Sequence, residues 1–207
     1  MAKHKPEHIG IIPDGNRRWA KDKGMQKQDG YQYGLEPGLK LLNIAKENGI
    51  KEITYYGFTV DNCKRPAEQF QAFQKACVDA VNILTQQGAD LLVIGDDNSK
   101  CFPKELKKYR KRTPVNGGGI KVNLLANYGW KWDLAHIKET GAPYSEDISR
   151  IDLIIRWGGM RRLSGFLPIQ SVYSDFYVEE KLWPDYQDED FLNALKWYAK
   201  QDVTLGG

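Results

Sequence analysis

Short apolar runs alternate along this chain with longer stretches in which apolar residues recur every three or four positions. His8–Pro13 (HIGIIP) is a run of the first kind and predicts a buried strand that stops at Asp14-Gly15. Leu39–Asn48 has helical periodicity and meets Gly49, a natural helix stop. Ile53–Phe58 is rich in β-branched and aromatic residues and predicts a second strand. Pro66–Gln87 predicts a long helix, with Pro66 suited to its first turn and Gly88 beyond its end. Its apolar residues, from Phe70 and Phe73 to Leu84, fall on one face. Leu91–Ile94, Ile120–Ala126 and Ile151–Ile155 predict further strands. Pro103–Lys111 predicts a basic helix, His136 falls in another, and Asp188–Lys200 predicts a last one. Strands separated by helices predict an α/β fold: a central, mostly parallel sheet flanked by helices. Asn116–Gly119 reads as a flexible turn, and no linker divides the chain, so residues 1–207 are expected to form a single domain.

Ligands of such sheets bind beyond the carboxyl ends of the strands. Four loops qualify, after Pro13, Phe58, Ala126 and Ile155, and each carries polar or charged clusters. This coincidence points to an enzyme. The composition narrows the class. A net charge of +3 is too mild to make nucleic acid the expected partner. The apolar runs are too short to span a bilayer, and no secretory signal follows the charged start. Contact with a membrane surface stays compatible with the sequence. Cys63, Cys77 and Cys101 form no metal or disulfide pattern, which fits a reduced, cytoplasmic protein. Neither GxGxxG nor GxxxxGK[ST] follows the first strand, which argues against a nucleotide-binding α/β protein.

Asp14-Gly15-Asn16-Arg17-Arg18 lies where a strand gives way to a helix. Gly15 permits close backbone approach, and the helix start offers free N–H groups to an anion. A lone carboxylate among arginines makes sense if it holds a magnesium ion bridging a diphosphate. A tight turn followed by a solvated helix face is the alternative reading.

The segment HIGIIPDGNRRWA resembles the first signature of the cis-prenyltransferases, the undecaprenyl diphosphate synthases and their relatives. TYYGFTVDNCKRPAEQ, LLANYG, DLIIRWGGMRRLSGFLPIQSVYSDFY and LWPDY follow in the family's order. The resemblance implies a sheet flanked by helices, with a hydrophobic cleft for the prenyl chain. It further implies a homodimer, Mg2+ as cofactor, and two prenyl diphosphates as substrates. Carried over by position, Asp14 matches the magnesium ligand, and Gly15, Asn16, Arg17 and Arg18 the cradle of the allylic diphosphate. Trp19, Lys27 and Tyr31 are expected at the substrate. Thr59, Asn62 and Arg65 fall near the reacting centre, with Asp14, Asn16, Asn62 and Arg65 as catalytic candidates. Arg156, Arg162 and Ser164 match the isopentenyl diphosphate site, and Asp175 a second metal ligand. The charge argument stands without the name: two diphosphates approach each other only where guanidinium forks and a divalent cation neutralise them.

The departures bear on the product. Lys27 stands for an arginine, Tyr31 for a histidine, Cys63 for a tryptophan, Gln69 for a glutamate and Met160 for a glutamate. Trp130 and Trp157 replace small residues, and the family's paired terminal arginines are absent from the chain's end, Val203–Gly207. Only 16 residues separate Leu134 from Ile151. Two bulky tryptophans and shortened walls predict a small cavity and a short prenyl product. Tyr31, Met160 and Leu205 also resemble the irregular branch of the family, which makes lavandulyl or cyclolavandulyl diphosphate. A terpene cyclase-like reaction and a non-catalytic partner subunit are the further alternatives. The intact Asp14–Arg18 loop argues against the latter.

Overall fold

Six parallel strands make one sheet, ordered β3-β4-β2-β1-β5-β6 in the computed structural model. The structure describes residues 4–114 and 119–202. The strands are β1 (His8–Ile12), β2 (Glu52–Thr59), β3 (Asp90–Ile94), β4 (Lys121–Tyr128), β5 (Leu153–Arg156) and β6 (Asp175–Val178). Helices α1 (Asn16–Asp22), α2 (Gly30–Tyr33), α3 (Leu35–Glu47), α4 (Ala67–Gln86), α5 (Trp130–Thr140) and α6 (Asp188–Tyr198) accompany them. The expected α/β architecture is therefore present, and no helix among the described residues is long and apolar enough to cross a membrane.

All five residues of β1 are buried, as expected of a central parallel strand covered on both faces. Alternation then sorts the sheet into two cores. Ile9, Ile11, Leu153, Ile155 and Trp157 face α3, α4 and α6, while Ile154 packs with Leu92, Leu125 and Phe166 on the other face. Gly10 allows this second core to close, since a Cβ there would meet the Phe166 ring at 2.6 Å.

Several elements differ from expectation. α3 begins at Leu35 rather than Leu39, because Pro37 fits a first turn and so does not delay the start. The basic segment is a 3₁₀ helix, Lys104–Tyr109, whose lysines leave only Leu106 buried. β6 is a short, half-buried edge strand, without the fully apolar signature of the central ones. Most of the turn at Asn116–Gly119 and all of 203–207, Leu205 included, lie outside the described residues.

The amino ends of the strands carry a buried polar network. His8 Nε2 meets Thr54 Oγ1 at 2.8 Å, and Asn123 donates to both Thr54 (2.8 Å) and Glu52 (2.7 Å). Ser149 Oγ donates to Glu52 at 2.8 Å. Burial holds the His8 pKa below its ordinary value. Burial pushes Glu52 the other way, yet His8 and the hydrogen bonds from Asn123 and Ser149 outweigh it and hold this carboxyl below the usual range.

Candidate active site

At the opposite end of the sheet, the loops after β1, β2 and β5 enclose a cleft of about 590 Å3. Arg17, Arg18, Lys21, Lys27, Arg65, Arg156 and Arg162 line it, against only Asp14 and Asp61. Such an excess of cations in one concavity calls for a polyanion. Gly15, Asn16, Tyr31, Thr59, Asn62 and Ser164 complete the expected set around it.

Asp14 follows β1 and stands at the centre. Its Oδ2 accepts from Arg156 Nη2 at 2.7 Å, and its Oδ1 lies 3.6 Å from Arg18 Nη2. Arg156 ends β5, so pleating points it away from the aromatic core and towards the cleft. Its side chain is almost fully buried and also donates to Ser164 Oγ (3.0 Å) and to the Arg162 carbonyl. Arg18 donates to the Gly158 carbonyl at 2.9 Å. Gly15 has φ +113°, a left-handed conformation that turns the chain directly from β1 into α1.

The loop after β2 is held by its own ends. Asn62 Oδ1 accepts from the Thr59 N–H at 3.0 Å, and the Thr59 side chain returns the favour to the backbone of Asn62. This capping box commits the Asn62 oxygen and leaves its NH2 as the donor for a ligand. Arg65 donates to the Tyr31 hydroxyl at 3.0 Å. Burial lowers the Arg65 pKa and raises that of Tyr31, so the phenol stays protonated at neutral pH. Cys63 donates its S–H to Asn127, and burial pushes its thiol up to about 12, so it is no nucleophile.

Beneath the cleft opens an apolar pocket of about 110 Å3. Leu35, Leu39, Tyr55, Ala76, Cys77, Ala80, Ile83, Leu84, Leu124 and Trp183 are among its walls. Trp183 ties pocket to cleft: its indole N–H donates to the Gly34 carbonyl (2.9 Å) and its backbone N–H to the Asp14 carbonyl (3.0 Å).

Four expectations need correction. Trp19 does not line the cleft. It lies on another face of α1, donates to Asp185 at 2.8 Å and packs on Tyr33, so it anchors the helix. Asp175 does not join Asp14 within the chain. It pairs with Leu153 at the amino end of β6, level with Ile9, whereas Asp14 lies beyond Ile12 at the other end of β1. Trp157 is fully buried against Trp183 and Tyr186, and Trp130 is exposed. Neither tryptophan lines the pocket; Tyr31, Phe73 and Trp183 do. Lys21 and Asp61 were not anticipated at the cleft. The helical step from Arg17 and Arg18 to Lys21 was a usable signal for the first.

No cluster of three or more His, Cys, Asp or Glu able to hold a metal occurs among the described residues. One carboxylate nevertheless suits Mg2+, which keeps several waters and takes further oxygens from phosphate. By that chemistry the donor set fits magnesium arriving with a diphosphate.

Comparison with known proteins supports the same direction. Residues 12–206 match the family model described as "Putative undecaprenyl diphosphate synthase". The ditrans,polycis-undecaprenyl-diphosphate synthase of Wigglesworthia glossinidia brevipalpis, (2E,6E)-farnesyl-diphosphate specific, is 32% identical over 98% of this chain and 88% of that protein. The enzyme of the same description from Escherichia coli K12 is 30% identical over 99% of this chain and 91% of its own. A crystal structure of lavandulyl diphosphate synthase from Lavandula x intermedia, in complex with dimethylallyl diphosphate, superimposes with a TM-score of 0.77. That match has 26% identity and covers 98% of this chain and 99% of the other.

Proposed function

Since the chain belongs to the undecaprenyl diphosphate synthase family of cis-prenyltransferases and is a prenyltransferase, we propose that it makes a short prenyl diphosphate from two small isoprenoid diphosphates, with Mg2+. The observation that carries this reading is the apolar pocket of about 110 Å3. An apolar cavity of about 150 Å3 holds one benzene, so this one suits a five-carbon tail rather than a polyprenyl chain.

Arg18 and Arg65 hold the allylic diphosphate, with Gly15 giving it close access to the backbone. Arg156, Arg162 and Ser164 hold the second diphosphate. Asp14 stands between the two sets and is the residue that would hold magnesium, whose charge eases departure of the allylic diphosphate. The allylic C–O bond breaks, and a C–C bond forms to the alkene of the second substrate. A proton then leaves. Tyr31 and Cys63 are held protonated by burial, and Asp14 and Asp61 are paired with cations. The departing diphosphate, or Asp14 through Asn16, accepts the proton. Fixed guanidinium groups in a cleft of this kind typically supply a large share of catalysis.

A second reading is irregular coupling of two dimethylallyl diphosphates. Met160, an apolar side chain, lines the cleft beside Arg162 and favours an acceptor other than isopentenyl diphosphate. The likeness to a lavandulyl diphosphate synthase points the same way. Mass spectrometry of products from dimethylallyl diphosphate alone, and with isopentenyl diphosphate, separates the two. Absence of any product of ten to twenty carbons from either mixture defeats the short-chain reading.

The reading includes a single catalytic domain over 1–207 and a homodimer in the cytoplasm. Exposed Ile169, Val172 and Tyr173 between β5 and β6, with the open edge of β6, offer the surface to be covered. Three free cysteines suit a reducing compartment.

A further inference from the structure

The end of β4 is irregular at one residue. Phe58 of β2 pairs with Ala126, and the next residue, Thr59, pairs with Tyr128. Asn127 is thus the extra residue of a β-bulge, and its φ is +54°, a left-handed conformation that asparagine tolerates better than most residues. Bulges beside a site re-aim a side chain. Here the carboxamide is turned into the protein and is fully buried. Its Nδ2 donates to the Asp96 carbonyl at 2.9 Å, and its Oδ1 accepts the Cys63 S–H at 3.0 Å. The Asn127 carbonyl in turn accepts from the Asp96 N–H at 3.2 Å. One side chain therefore joins the loops after β2 and β3 to the end of β4.

The loop after β2 has few other holds on the sheet. None of Val60–Lys64 is fully buried, and the Thr59–Asn62 capping box ties the loop only to itself. Beyond that box, Val60 packs on Gly129, where an added Cβ would lie 3.1 Å from a Val60 methyl, and Cys63 is bonded to Asn127. Cys63 stands between the two residues this loop presents to the cleft, Asn62 and Arg65. Its thiol stays protonated and so remains a donor.

We propose that Asn127 is a positioning residue: by accepting from Cys63 it fixes the loop after β2, and with it the Asn62 amide and the Arg65 guanidinium, against the allylic diphosphate. The inference rests on the prenyl diphosphate reading above. A buried acceptor left without its donor is costly, so the loop is held where Cys63 can reach Oδ1. Misplacing a substrate-positioning group by about 1 Å can cost about 10²-fold in rate.

The test is steady-state kinetics and thermal melting of the whole chain. The substrates are isopentenyl diphosphate and whichever of dimethylallyl, geranyl or farnesyl diphosphate the wild type turns over fastest. Cys63→Ala should raise KM for the allylic substrate about tenfold, with KM for isopentenyl diphosphate within about twofold of wild type. Cys63→Ser, whose hydroxyl donates to the same oxygen, should recover most of the loss. Asn127→Gly suits the left-handed backbone and should reproduce the Cys63→Ala defect. Because the two residues act as one contact, the double variant should be within about twofold of the poorer single variant. If Asn127→Gly fails to fold, the two Cys63 variants decide. An allylic KM within about twofold of wild type in folded Cys63→Ala overturns the assignment. So do an equal rise in both KM values, a serine variant as impaired as the alanine one, and losses that multiply in the double variant. A wild type that turns over none of these substrate pairs removes the reading beneath the assignment, which falls with it.

Discussion

The Asp14 carboxylate and the buried Arg156 guanidinium meet at 2.7 Å, although one follows β1 and the other ends β5. Arg18 approaches the same carboxylate from α1. Asp14 thus pairs with one guanidinium from each of the two sets of arginines it separates. A diphosphate that takes over either guanidinium frees the carboxylate for a cation, so magnesium and diphosphate should bind together rather than in isolation.

Asp14→Asn should keep the fold and lose the chemistry. The amide oxygen still accepts from Arg156, so that cation is not stranded. Turnover should fall by about 10²–10³, the cost of removing one electrostatic element of an active site. Initial rates across a magnesium titration, beside a melting curve, check both halves. Near wild-type turnover would refute the metal assignment.

Arg156→Lys preserves charge but cannot hold Asp14, Ser164 and a phosphate at once. KM for the second substrate should rise about tenfold, a loss of about 1.4 kcal/mol, with a smaller effect on the allylic substrate. Arg18→Lys should show the reverse. Because both arginines act on Asp14, the double variant should depart from additivity. Equal effects on both substrates in both single variants would dissolve the division into subsites.

Gly158→Ala tests the loop after β5. Gly158 has φ +85°, and an added Cβ would run into the Arg18 guanidinium. The left-handed backbone alone costs an alanine about 1–2 kcal/mol. Melting should drop by about 2–4 °C for each kcal/mol lost, and KM for the allylic substrate should rise as Arg18 is displaced. An unaltered KM would show that Arg18 has no part in binding that substrate.

The far end of the sheet makes a pH prediction. His8 is held below its unfolded pKa, so protonation favours the unfolded chain as pH falls through about 6.5. Glu52 is likewise held below its unfolded value, so its contribution is present above about 4.5 and lost below. Both act in the same direction, and thermal stability should decline from pH 7 towards pH 4. His8→Gln should flatten the upper part of that decline, between about pH 7 and pH 5.5. A melting temperature that rises on acidification would contradict the buried, neutral histidine.

The central strands were legible because parallel strands buried on both faces read as continuous apolar runs, as in HIGII of β1. β6 escaped notice because an edge strand of four half-buried residues after a series of turns has no such run. The Asp14–Arg18 loop and the arginines were legible because their charge has no place in a core. Asp175 stands apart from Asp14 within the chain for a reason sequence order cannot show: pairing with Leu153 sets it at the amino end of β6. Trp157 misled for a related reason. It adjoins Arg156, yet one step along an extended chain reverses the face, so the arginine reaches the cleft and the tryptophan the core. The Tyr31–Phe73 contact joins α2 to α4, a long-range meeting with no local signature.

Trp183 carries one more implication. Its indole forms part of the wall against which a hydrocarbon tail would rest, while its own peptide nitrogen grips the carbonyl of Asp14. Tail and head group therefore bear on the same rigid residue. An ill-fitting tail should be felt as a misplaced acid, and inhibitors matched only to the phosphate end would forgo that leverage.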